Sequence, residues 1–232
     1  MSTTTPYKLS PSSINLFLEC PHCFWLQLVK GIKRPEGIFP SLPSGMDKIL
    51  KHHFDAYMEK GELPPEIKAH GLTNGYKLFA DKKTLDIWRS NFKGIQYLDQ
   101  TSGVLLRGAV DNILTNGKKL IVLDYKTRGF PLKEDTHTHY QTQLDLYNFL
   151  LRKNGYETAN YAYLLFYHPN RVTETGEVLF HTDLIRMEID VKNGEKVFRE
   201  AVNCLNGSEP DIGKECSYCN WTTELLFDWR NA

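Results

Sequence analysis

The sequence predicts an α/β fold: a mixed central β-sheet flanked by helices, with the N- and C-terminal segments joined at a four-cysteine metal centre. Three observations carry this. Strand-like and helix-like stretches alternate through the middle of the chain, in the order helix, three strands, helix, strand. An Asn116-Gly117 pair separates two β-rich runs, a strong hairpin signal. A Cys-x-x-Cys stands near each end, Cys20/Cys23 and Cys216/Cys219.

The elements follow in order. Ser10-Pro11-Ser12-Ser13 opens a helix with a hydroxyl cap and an early proline. Ile14, Phe17, Leu18, Trp25 and Leu28 then recur at near-helical spacing. Gly31 to Ser44 reads as a Gly/Pro-rich loop, and a second helix runs from about Met46 to Glu59, stopped by Gly61 and Pro64-Pro65. Residues 76–98 read as short strands with an edge element. Gly103–Leu114 and Lys118–Thr127 form the hairpin strands, and Gly129–Thr138 a loop. A helix from about His139 to Lys153 comes next, then a buried strand, Ala159–Tyr167, closed by Pro169. Val178–Asp190 adds a strand and Val191–Asn206 a helix.

At 232 residues and 26.8 kDa the chain fits one domain over 1–232. Its core is expected at about 100–206, a helical, cysteine-bearing part at about 8–60, and a cysteine tail at about 207–232. Lys plus Arg and Asp plus Glu both number 28, so the net charge is zero. That excludes a protein that coats nucleic acid by bulk charge, but not one whose acidic metal site offsets a basic groove. No apolar stretch approaches the roughly 20 residues that span a bilayer. Met1–Ser10 is Ser/Thr-rich without an apolar stretch of signal type, so a cytoplasmic protein with no membrane partner is expected.

Two Cys-x-x-Cys pairs offer four thiolates, enough to close a tetrahedral zinc site or hold an iron–sulfur cluster. Because nearly the whole chain lies between them, a shared centre would staple the two ends. Cys204, in a helix without a partner at ligand spacing, reads as a core residue, and His22 as a dispensable fifth donor.

A second constellation lies on the hairpin. Asp124 and Lys126 are two apart on a strand and point the same way, while Tyr125 points to the other face. The turn brings Asp111 back alongside Asp124. Carboxylate oxygens are the hard ligands that Mg²⁺ or Mn²⁺ prefers, and a neighbouring ammonium can orient water or stabilise charge. Asp124 follows the apolar run Leu120-Ile121-Val122-Leu123, where an unpaired charge is costly. Gln143 and Tyr147, four apart, share a face of the following helix.

Gly108-Ala-Val-Asp111, Leu123-Asp-Tyr-Lys-Thr127 and Gln143-Leu-Asp-Leu-Tyr147, between two cysteine clusters, together resemble the PD-(D/E)XK nuclease superfamily. The resemblance is to the RecB-like branch, with AddB and the CRISPR-associated RecB-like exonucleases, and it covers Leu9 to Trp221. It implies a restriction-endonuclease-like core. It also implies metal ligation by Asp111, Asp124 and the main-chain carbonyl of Tyr125, with Lys126 catalytic and Gln143 and Tyr147 completing the site. In that branch flanking cysteines hold a 4Fe–4S cluster, here Cys20, Cys23, Cys216 and Cys219, with Zn²⁺ as the alternative. This chain departs in dividing its cysteines two and two. The branch's metal-binding histidine, on an early helix soon after a glycine, is also displaced. Gly45 precedes His52 and His53 at a longer spacing, which leaves either histidine or neither as the ligand, with His53 the candidate.

The function so implied is a metal-dependent deoxyribonuclease, an exonuclease working on duplex ends or single-stranded DNA in repair, recombination or CRISPR-type processing alongside other DNA-processing proteins. The alternative is an inactive nuclease-fold module that binds DNA or a partner. Phe24, Trp25, Tyr140 and Tyr167 are candidates for base stacking or for the core, and Lys8, Lys30, Lys33 and Arg34 for a basic patch.

Overall fold

The computed structural model describes residues 7–231, with side chains through residue 226. Residues 1–6, most of the Ser/Thr-rich opening, and residue 232 lie outside the described residues. The architecture is a mixed α/β one, as expected. A five-stranded sheet runs β2 (Tyr76–Leu78), β5 (Asn112–Asn116), β6 (Lys119–Thr127), β7 (Tyr161–Val172), β8 (Val178–Glu188). Only the β6–β7 pair is parallel. A smaller sheet orders β1 (Lys8–Leu9), β4 (Leu105–Gly108) and β3 (Ile95–Leu98).

The N-terminal helix is capped as its sequence demands. Ser10 Oγ accepts from Ser13 N–H at 3.3 Å, Ser13 Oγ accepts from Ser10 N–H at 2.7 Å, and Pro11 takes the first turn. The expected single helical run is broken, however. Cys20 precedes Pro21 and is extended (φ −158°), because a residue before proline disfavours helical backbone. The result is α1 (Pro11–Glu19), α2 (Pro21–Trp25) and a π-helical turn over Leu26–Lys30, closed by Gly31 at φ 72°. The break turns both thiols of the first pair inward.

Helix α3 (Ser41–Glu59) begins five residues before the expected start, with Pro43 tolerated in its first turn, where amides need no intrahelical partner. After α4 (Pro65–Ala69), the segment expected to hold only strands contains a helix, α5 (Lys82–Trp88). Asp81 caps it by accepting from Thr84 N–H at 3.1 Å, and Leu85 and Trp88 bury one face.

The run 103–114 is two strands and not one. It leaves the small sheet after Gly108 and enters the large one at Asn112, and Asp111 sits in the crossover. The hairpin itself forms as the turn signal predicts: Asn116 pairs with Lys119 and Gly117 adopts φ 60°. A 3₁₀ turn (Thr136–Tyr140) leads into α6 (Gln141–Lys153), which crosses from β6 to β7. Pro169 does not close β7. The strand continues to Val172 through a register shift between Pro169 and Arg171, an irregularity that accommodates a residue unable to donate. α7 (Val191–Asn206) matches its expected bounds, and the cysteine tail forms α8 (Ser217–Asn231).

Two apolar layers sandwich the large sheet. One joins Val122, Leu164 and Phe166 to Leu144 and Leu150 of α6, and Phe198 of α7. The other packs Leu50 and Phe54 of α3 on Leu123, Tyr125, Leu165 and Tyr167. Each fully buried Leu or Phe contributes roughly 1.5–3 kcal/mol. Phe24, Trp25 and Tyr167 are buried here, so of the base-stacking candidates only Tyr140 keeps an open edge. Among the described residues no helix is long and apolar enough to cross a membrane.

Candidate metal centres

The four cysteines converge. Sγ–Sγ separations are 3.7 Å for Cys20–Cys219, 3.7 Å for Cys23–Cys216 and 3.6 Å for Cys23–Cys219, and all four residues are buried. A tetrahedral ion with metal–sulfur bonds of about 2.3 Å sets its ligands roughly 3.8 Å apart, so this spacing suits one metal ion. A cubane spreads its thiolates wider, one to each iron. Gly213 makes the closure possible, since a Cβ there would sit 2.9 Å from Cys20 Sγ. Arg34 donates from Nη2 to Cys216 Sγ at 3.2 Å, pairs with Glu19 at 2.6 Å and stacks on Tyr218. This guanidinium thus serves the cysteines, while the exposed Lys30 lies over the Trp25 ring. Burial opposes ionisation of Cys216, yet hydrogen bonds from Cys219 and its neighbours bring it down to about 7, while burial lifts Cys23 to about 12. One thiol is therefore primed for ionisation. His22 is no ligand in this packing: Nδ1 lies 3.7 Å from Cys219 Sγ and Nε2 is 3.0 Å from Glu209. Cys204 is half-buried in α7, apart from the cluster.

The second centre grows from β6. Alternation turns Asp124 and Lys126 toward α6, and Tyr125 toward α3, where its hydroxyl accepts from Asn112 Nδ2 at 2.7 Å. Asn112 pairs with Leu123, so one step further Asp111 stands opposite Asp124. Its Oδ2 accepts the Tyr125 N–H at 2.9 Å, which fixes the carboxylate against the strand. Lys126 Nζ is 2.5 Å from Asp124 Oδ2 and donates to Gln143 Oε1 at 3.1 Å. The Gln143 amide donates in turn to Tyr147 OH at 2.7 Å and reaches Asp124 Oδ1 at 3.5 Å. All five proposed catalytic side chains are thereby brought together.

The electrostatics are those of a site short of one positive partner. Asp124 is 2 % exposed at its side chain, and the close Lys126 ammonium lies off the hydrogen-bonding direction of Oδ2, leaving that oxygen buried without a donor. Burial lifts the Asp124 carboxyl to about 7 against the pull of Lys126, and the charge of Asp111 adds to the rise. Burial alone would lower Lys126, but Asp124 outweighs it and holds the ammonium charged. Burial keeps Tyr147 a neutral phenol. An orphaned buried carboxylate oxygen facing a second carboxylate is a donor set that fits a hard divalent cation.

His53 does not join this group. It lies on α3, across the sheet from Asp124, and its Nε2 pairs with Glu66 at 3.0 Å. Lys51, two residues earlier and on the opposite side of α3, reaches Asp111 Oδ1 at 3.1 Å and Asp47 at 2.8 Å. Arg89 donates from Nε to the Asp111 carbonyl at 2.7 Å and pairs with Asp55 at 2.7 Å. Tyr140 lies under Lys126, ring centroid to Nζ 4.6 Å. Of these three, the sequence offers Tyr140 as an aromatic candidate but gives no sign of Lys51 or Arg89. The i,i+4 series Asp47, Lys51, Asp55 was visible, but nothing in it named a target some sixty residues away.

No curated protein matches the chain. The family profile of the PD-(D/E)XK nuclease superfamily matches residues 8–223, a span that takes in both cysteine pairs and the whole carboxylate–lysine cluster. The chain belongs to the PD-(D/E)XK nuclease superfamily.

Proposed function

We propose that this chain is a divalent-metal-dependent deoxyribonuclease of the RecB-like branch, working as an exonuclease on single-stranded or frayed DNA ends. The observation that carries this is the buried, donor-less Oδ2 of Asp124 beside Asp111 and Lys126. Asp111 and Asp124, with the Tyr125 carbonyl, would hold Mg²⁺ or Mn²⁺, which supplies Lewis acidity and a more acidic water. Lys126 stabilises charge on the phosphate as the bond to the leaving oxygen breaks. Gln143 keeps Lys126 aimed, and Tyr147 and Tyr140 fix Gln143 and the ammonium in turn. The recess favours a separated strand: the Asp124 side chain is 2 % exposed, and its rim residues Lys126, Asp111 and Lys51 only 17 %, 18 % and 22 %.

The cysteine centre is read as structural. Its sulfur spacing supports a single tetrahedral ion, zinc by ligand type, with the 4Fe–4S cluster of the branch as the alternative that metal analysis of anaerobically purified protein decides. A cytoplasmic location and work beside other DNA-processing proteins belong to the same reading. The His53–Glu66 pair and the Lys51 contact with Asp111 favour a second reading, an inactive DNA-binding module. End-labelled single-stranded and blunt duplex DNA, incubated with Mn²⁺ or Mg²⁺, separates them. Cleavage by the wild type that falls about 10³-fold in Asp124→Asn and Lys126→Ala supports the nuclease. DNA binding without cleavage in all three supports the module.

A further inference from the structure

The β7–β8 ladder builds a third cluster that the nuclease reading does not use. His168 pairs directly with His181, and Asp183 stands two residues along β8 on the same face, opposite Phe166. This is also the face that carries Asp124 and Lys126, since Lys126 pairs with Phe166. Two strand spacings, about 10 Å, separate Lys126 from Asp183.

His168 Nε2 lies 3.3 Å from Asp183 Oδ2, and His181 Nε2 lies 3.5 Å from Asp183 Oδ1. The two imidazole centroids are 5.1 Å apart with planes at 44°, and donor atoms of all three residues fall within 4.8 Å of one another. These contacts are longer than the roughly 2.7–2.9 Å of a charge-assisted hydrogen bond. They match the edge of a coordination tetrahedron: metal–N and metal–O bonds of about 2.0–2.2 Å put ligands some 3.3–3.5 Å apart. His168 is nearly buried, and its Nδ1 faces the Pro169 carbonyl at 3.3 Å. With the proton on Nδ1, the Nε2 lone pair is presented to the cluster, as outer partners commonly arrange for a metal-bound histidine. The strand pairing fixes all three backbones, so the set is preorganised.

We propose that His168, His181 and Asp183 form a transition-metal site that takes one Zn²⁺, separate from the cysteines and from Asp111/Asp124. Two imidazoles and one carboxylate are borderline donors suited to zinc, and three protein ligands leave one coordination position open. That position faces an open pocket of about 470 Å³, walled by Asn170 and by Pro131 and Leu132 from the segment after β6. The site does not depend on the nuclease reading.

The test is Zn²⁺ titration of the full-length protein by calorimetry, with imidazole proton NMR, on the wild type, His181→Ala, Asp183→Asn and Asp124→Asn. With saturating Mg²⁺ present to occupy Asp111/Asp124, the expected result is one equivalent of zinc bound beyond the metal already held by the cysteines, with both histidine resonances shifted. Losing an outer partner of a metal ligand costs about 10–100-fold in affinity, so His181→Ala and Asp183→Asn should each weaken binding at least that far. Asp124→Asn should leave it unchanged. His181 is half-exposed, so its removal leaves the fold intact, which the melting curve of the variant verifies. Equal zinc uptake in all four proteins, or no equivalent beyond the cysteines, overturns the proposal. DNA cleavage is not read, so failure here leaves the nuclease question untouched.

Discussion

The cysteine cluster and the carboxylate–lysine cluster are both buried sets of ionisable groups, built in opposite ways. The first joins residues up to 199 positions apart, and all four of its cysteines are buried. The second is assembled within one hairpin and the helix after it, and its rim stays open at Lys51, Asp111 and Lys126. Four soft donors gathered around one point suit a metal ion or cluster, read above as structural. Two hard carboxylates with an ammonium beside them leave positions for a substrate. On the reading proposed above, burial marks the staple and the unfilled coordination of the acids marks the chemistry.

The sharpest way to break this contrast is stability. Tying the chain across nearly 200 residues removes about 5 kcal/mol of loop-closure entropy from the unfolded state. Cys219→Ser should therefore lose its metal, melt about 10–20 °C lower and expose α8 to protease. A variant melting within error of the wild type would make these thiols inert core residues. At the acid site the sign reverses. Asp124 has a folded pKa of about 7 against 3.8 unfolded, so the folded state binds the extra proton between those values. Its stabilising effect is complete below about pH 4 and is lost as pH rises through 7. In buffer without divalent cation, Asp124→Asn should abolish that slope and gain up to about 4 kcal/mol over the wild type at pH 8. Added Mg²⁺ should narrow the gap, since the cation competes with the proton for the same oxygen. Urea unfolding at pH 4 and pH 8 measures both, and an Asn variant less stable at pH 8 would refute the buried-charge account.

The same contrast explains what could be read beforehand. Local chemistry was legible: the Ser10 cap, the Gly117 turn, the bounds of α7, and the shared face of Asp124 and Lys126. So were the joined termini, because Cys-x-x-Cys pairs have few other uses. What failed depended on partners distant in sequence. The run 103–114 looked like one strand because nothing local shows that Leu105–Gly108 pairs with β1 and β3, while Asn112 onward pairs with β2 and β6. Lys51 and Arg89 reach Asp111 from helices whose docking no spacing encodes. The family resemblance offers His53 as a ligand, whereas the face on which α3 packs turns it to Glu66.

The smallest expected effect probes how the open site is held. Gly108 ends β4 directly beneath α6, and a Cβ there would stand 2.7 Å from Leu150 Cδ1 and 2.9 Å from the Tyr147 ring. The small sheet thus sets the height at which α6 presents Gln143 and Tyr147 to Lys126. Gly108→Ala should cost about 1–3 kcal/mol through overpacking. It should also lift Tyr147 and slacken its 2.7 Å bond with Gln143. Because the cysteine staple does not rest on this contact, metal content at the cysteines should stay at the wild-type level while the melting temperature falls. Trimming the neighbour in Gly108→Ala/Leu150→Val should recover part of the loss, a non-additivity that two independent sites would not show. If the double variant is simply the sum of its parts, α6 is positioned by α7 and not by Gly108, and the acid site is less dependent on local packing than its compactness implies.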